Sequence, residues 1–180
     1  MRDNVIDMNN IQEFRKVYYE CMKQLIDANV DLFRKSNLCE EISFKTELEI
    51  SLYTFAYVSS NELFISNADN KKILEETMIE ILSWMFSQKQ YILPNSYFKQ
   101  RLSDFQSEID DCSIANTNLP LYSYYSFFKS PLSQFEKEKV NDYDAMELYK
   151  FKFFMIQLSE MNTRATEFLL KTLNDILNKN

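Results

Sequence analysis

Five carboxylates form the pattern in this sequence closest to chemistry. Glu75, Glu76 and Glu80 fall on one expected helix, and Glu108 and Asp111 fall at the end of another. Carboxylates four residues apart share a helix face. Two such faces brought together can hold Mg²⁺ through oxygen ligands, and a bound Mg²⁺ can assist hydrolysis of a phosphate ester or anhydride. The competing reading makes Glu76 and Glu80 the solvated strip of a helix that is apolar elsewhere. Carboxylates are rarely buried, and the sequence favours this second reading.

The spacing resembles, with one departure, the EExxE…ExxD pattern of all-α nucleotide pyrophosphohydrolases. Glu75, Glu76 and Glu80 read EExxxE, one residue longer, while Glu108 and Asp111 keep the ExxD spacing. The resemblance covers these few residues only. It implies a Mg-dependent nucleotide (pyro)phosphohydrolase with Glu76, Glu80, Glu108 and Asp111 as metal ligands. This is kept as the alternative to a non-enzymatic function.

Other chemistry is removed by absence. The chain has no histidine, so it has no Ser–His or Cys–His nucleophile and no imidazole base. HExxH zinc sites and Glu-x-x-His di-iron sites go with it. It has no glycine either, which excludes the P-loop and the dinucleotide-binding fingerprint. Enzymes built on carboxylates, Lys or Tyr remain open. We expect no enzyme and no cofactor. Cys21, Cys39 and Cys112 are odd in number and lack motif spacing. They read as reduced thiols, with Cys112 set in a polar stretch.

The segment from Leu119 to Phe128 is the strongest binding candidate. Tyr122, Tyr124, Tyr125, Phe127 and Phe128 crowd one short expected helix, on more than one of its faces. Tyr presents an apolar ring and a polar tip, which suits interfaces. Packing inside the fold is the commoner fate of such a cluster, and base stacking fits poorly with an acidic chain. A third functional reading places an apolar ligand-sensing cavity among the Phe and Tyr of 122–128 and 149–154. Asn29 and Asn162 interrupt apolar stripes, the pattern of a buried hydrogen bond or a register device. Arg15 and Arg164 are either surface residues or partners of carboxylates at helix contacts.

The elements that must position these residues read as helices. Ile11, Phe14, Val17, Tyr18, Cys21, Met22, Leu25, Ile26, Leu32 and Phe33 fall on one face of a helix over 11–35, with Asn29 in their midst. Segment 40–58 carries two patterns. Phe44, Leu48, Leu52 and Phe55 have helical spacing, while Ile42, Phe44, Leu48, Ile50 and Leu52 alternate as in a strand. Helix is favoured, with a small β element around 42–66 as the alternative. Ser66 and Asp69 have capping-box spacing before a helix over 69–88. That helix is apolar on most sides and is expected at the centre of the fold. A fourth helix spans 94–112. Pro120 and Pro131 then suit the first turns of two short helices. The last helix, 142–178, is apolar nearly all round in its first half and amphipathic in its second. Deep burial is expected early and a surface position late.

The fold predicted is all-α: one domain over 1–180, an irregular helical bundle of five to seven helices with a long C-terminal helix. A solenoid-like stack is the variant. Missing glycine fits helices joined by Asn, Asp, Ser and Pro. It also fits the codon usage of an AT-rich genome, since Asn, Lys, Ile, Tyr and Phe are abundant. That points to a low-GC bacterium or its phage.

The formal charge is −7, and no Lys/Arg cluster supports phosphate-backbone binding. No apolar run is long enough for a membrane span. The expectation is a cytoplasmic, acidic protein that binds another protein, or itself. It does not bind nucleic acid or membrane. An inhibitor or immunity-type role is the sharpest form of that expectation.

Overall fold

The computed structural model describes residues 8–38, 42–59, 75–84, 95–114 and 145–177. Five helices make up nearly all of them: α1 (Met8–Lys35), α2 (Phe44–Ser59), α3 (75–84), α4 (Asn95–Ile114) and α5 (Ala145–Leu177). No strand occurs among the described residues. The fold is an all-α bundle with a long C-terminal helix, as the apolar periodicity predicts. The expected capping box at Ser66 and Asp69 and the short helices at Pro120 and Pro131 lie outside the described residues.

α1 buries Phe14, Tyr18, Met22, Leu25, Ile26, Val30 and Phe33. Its charged residues Glu13, Lys16, Glu20, Asp27, Asp31 and Arg34 face outward. It ends without glycine. Asn37 takes the left-handed conformation, with φ of 54°, and Asn is the residue that most readily replaces glycine there. The Ser36 hydroxyl and amide both donate to the Phe33 carbonyl, at 2.6 and 3.1 Å. α2 opens on Ser43, whose hydroxyl accepts from the Thr46 amide at 3.2 Å, an N-cap bond.

Segment 40–58 is helical from Phe44 onward, not a β element. Both of its sequence patterns have one cause, because α2 is buried on almost every side. Thr46, Leu48, Glu49, Ile50, Ser51, Leu52, Tyr53, Thr54, Phe55, Ala56 and Val58 are all buried. α2 packs on α1, α4 and α5 together. The central position expected for 69–88 therefore belongs to α2. α3 shows solvent Glu75, Glu76, Glu80, Ser83 and Trp84, while Thr77, Met78, Ile81 and Leu82 are buried. α2 hides its polar side chains by returning them to its own backbone. Ser51 Oγ donates to the Glu47 carbonyl at 2.7 Å and Thr54 Oγ1 to the Ile50 carbonyl at 2.8 Å. Such back-bonding lets Ser and Thr sit in a buried helix without an unpaired hydroxyl.

α1 and α5 form the other large contact of the bundle, with the Phe33 and Phe154 rings edge to face at 5.2 Å. α5 keeps one face buried along its length through Phe151, Phe154, Met155, Leu158, Leu169, Leu173 and Ile176. The expected division into a deeply buried first half and a surface second half is not found. Both halves bury one face, and the first half leaves a second apolar face in solvent.

Candidate interaction surface

Two buried polar groups and one exposed apolar stripe stand out among the described residues. The first polar group joins three helices. Asn29 on α1 donates from Nδ2 to Thr54 Oγ1 on α2 at 2.9 Å and to Asn162 Oδ1 on α5 at 2.8 Å. All three side chains are fully buried. The two asparagines that interrupt apolar stripes in the sequence thus meet each other. Among the described residues, Asn29 Oδ1 and Asn162 Nδ2 have no hydrogen-bond partner. Thr166 Oγ1 donates to the Asn162 carbonyl at 2.8 Å.

The second group joins α2 to α4, and the sequence reading missed it. Glu49 is wholly buried. Its Oε1 accepts from the Tyr97 hydroxyl at 2.9 Å. Its Oε2 accepts from Arg101 Nε at 3.1 Å and Nη2 at 2.5 Å. Arg101 is itself buried and lies 5.4 Å from the Phe105 ring centroid. Burial pushes the Glu49 carboxyl up to about 7, against the charge of Arg101 and the bonds from Arg101 and Tyr97, which lower it. Burial, with the nearby Glu49 carboxylate, also raises the Tyr97 phenol. A carboxyl with a raised pKa resembles a general acid. Here it is fully enclosed and holds two helices together. The signal in the sequence was a glutamate set between Leu48 and Ile50, inside the apolar pattern of α2.

The carboxylate set of the alternative reading is not assembled among the described residues. Glu76 and Glu80 are exposed on α3. Glu80 Oε2 lies 2.5 Å from Arg15 Nη2 on α1, so Arg15 meets a carboxylate at a helix contact. Glu108 is half-buried on α4, and the side chain of Asp111 lies outside the described residues. Among the described residues, no group of three or more His, Cys, Asp or Glu side chains is placed to hold a metal ion. Arg164 is exposed on α5. Cys21 is half-buried, and burial raises its thiol pKa. Cys39 and the side chain of Cys112 lie outside the described residues, as do Tyr122, Tyr124, Tyr125, Phe127 and Phe128.

The exposed stripe lies on α5. Met146, Tyr149, Phe153 and Ile156 are 63%, 72%, 59% and 50% exposed. Their 3-4-3 spacing keeps them on one face over about 15 Å of helix. That face is opposite the one carrying Phe151, Leu158 and Asn162. Fully burying each such side chain is worth roughly 1.5–3 kcal/mol, so four in a row that are half or more exposed are unusual. Contiguity is what separates them from the scattered exposed residues of any surface.

No known family, curated protein or solved structure matches the chain. The stripe is therefore read from its own chemistry. Lys150 and Lys152 flank it, one on each side, Lys150 exposed and Lys152 half-exposed. Beyond Ile156 the same outer face becomes charged, through Glu160, Arg164, Glu167 and Lys171, all exposed. No helix among the described residues is long and apolar enough to cross a membrane.

Proposed function

We propose that this protein acts by binding another protein through the outer face of the first turns of α5. The observation that supports this most is the contiguous exposed stripe Met146, Tyr149, Phe153 and Ile156 on a helix whose opposite face is already buried in the core. Aromatic residues and Met are the types enriched where proteins meet. Helix-in-groove and helix-on-helix recognition use this i, i+3, i+7 arrangement of anchors. The protein-binding expectation is kept, and the residues proposed for it are now on α5 as well as in the 122–128 segment. A non-enzymatic inhibitor or immunity-type role is the form of binding that best fits the chain's size and acidity. It rests on composition alone.

The test is site-specific photocrosslinking in cells that make the protein. A photoreactive residue at Phe153 should give one dominant adduct with a second protein. The same residue at Glu167, on the charged continuation of that face, should give little. Equal adducts from both positions, or none from Phe153, would remove the proposal.

A further inference from the structure

The stripe and its rims also specify what kind of surface fits them. We infer that its occupant is an amphipathic helix of another protein whose apolar face is edged with carboxylates. This rests on the binding reading above and adds the chemistry of the partner.

Three observations carry it. First, the apolar residues follow a 3-4-3 spacing, the seam that packs against another helix. Second, the charged side chains that α5 itself carries among these apolar turns are, of the described ones, Lys150 and Lys152, one on each rim. The described rim of α5 is positive although the chain carries a net −7. Flanking charges of opposite sign select partner and orientation. Third, the positive, apolar section is short and ends at Glu160. A helix about 10 Å across, crossing α5 there, meets apolar side chains and two ammonium groups among the described side chains of α5. An extended anionic surface laid along α5 would meet Glu160 and Glu167 as well. A second copy of this chain fits poorly for a related reason. Two-fold pairing of the stripe with itself gathers the lysines of both copies on the rims of one interface, and like charges so placed oppose association.

The probes are two synthetic helical peptides of roughly eighteen residues. Both carry leucines at 3-4-3 spacing. One has glutamates flanking the leucines and the other has lysines at the same positions. Binding to the full chain is followed by fluorescence anisotropy. The Glu-flanked peptide should bind about ten-fold tighter or more, and added salt should shrink the difference. Lys150→Glu with Lys152→Glu should invert the preference. Both substitutions are at the surface, and circular dichroism confirms that the helices are retained.

Equal affinity for the two peptides would overturn the charge inference and leave the apolar docking reading standing. Failure of both peptides to bind would overturn both. Stronger binding to phosphatidylserine vesicles than to the Glu-flanked peptide would make the occupant a membrane surface. A dimer in analytical ultracentrifugation that Phe153→Glu converts to monomer would make it a second copy. Either of those last results would overturn the inference.

Discussion

Asn29 and Asn162 are 133 residues apart in sequence and 2.8 Å apart in the fold. Their bond, with Thr54 at its side, sets α1, α2 and α5 in one axial register. Sliding any of the three helices by a turn would leave several buried polar atoms without partners, at roughly 1–3 kcal/mol each. Even the observed arrangement leaves one acceptor on Asn29 and one donor on Asn162 unused. The layer is therefore better suited to choosing an alignment than to adding stability.

That balance predicts an asymmetry between single and double substitutions. Asn29→Leu alone should destabilise the protein by about 2–3 kcal/mol, because the buried Asn162 amide is left without its partner. Asn29→Leu with Asn162→Leu should recover most of the loss but give a less uniquely packed core. Urea denaturation gives the energies, and dispersion of the amide NMR spectrum reports packing. A double variant as unstable as the sum of the single variants would contradict the layer's role.

The tie between Glu49 and Arg101 predicts a pH dependence of definite sign. The Glu49 carboxyl is raised in the folded state to about 7 from an ordinary 4.5. The native state then holds this proton more tightly than the unfolded chain does. The group's contribution to stability is fully present below about pH 4.5 and is lost as pH rises through about 7. Denaturation midpoints measured across that window should fall with rising pH, more steeply in the wild type than in Glu49→Gln. Arg101→Met, which leaves a buried carboxyl without its cation, should cost about 3–5 kcal/mol at neutral pH.

Phe153 and Phe154 are adjacent in sequence and opposite in role. Phe154 is 1% exposed and packs on Phe33, while Phe153 is 59% exposed. Phe154→Ala should lower stability by about 3–5 kcal/mol. Phe153→Ala should change it by less than about 0.5 kcal/mol and should weaken partner binding by about 2 kcal/mol or more if Phe153 anchors the interface. Comparable thermal destabilisation in the two variants would show that Phe153 is a core residue.

The end of α1 offers a backbone test. Asn37 has a φ of 54°, where a side chain with a Cβ is costly and Asn is tolerated best. Asn37→Ala should destabilise by about 1 kcal/mol, and Asn37→Gly should be neutral or slightly stabilising. Equal effects of Ala and Gly would mean that the left-handed turn is not under steric control.

Most of the fold was legible because α1, α4 and the second half of α5 carry a one-sided apolar stripe. Phe14, Tyr18, Met22 and Phe33 on α1, Phe98 and Phe105 on α4, and Leu158, Leu169 and Leu173 on α5 are all buried where the 3.6-residue period puts them. Asn29 and Asn162 stood out for the same reason, as polar residues within such stripes. Where burial is all-round, period says little. α2 has almost no outer face, so its residues carry the spacing of a strand as well as that of a helix. Glu49 was hidden among apolar neighbours, with its partner Arg101 52 residues away. The stripe on α5 was misread by the converse error. A helix apolar on two faces looks buried in sequence, and only the structure shows that Phe151 is buried while Phe153 faces solvent. The 122–128 aromatics stand where the sequence put them, as candidates for binding outside the described residues.

The enclosure of α2 has a consequence in time. Its amides are shielded by α1, α4 and α5 at once, and none of those helices can leave alone without stripping one side of it. Local opening then gives way to whole-molecule opening, and the amides of Leu48 to Phe55 should be the last to exchange with deuterated solvent. Their shared exchange rate would be a direct reading of how often the entire bundle comes apart.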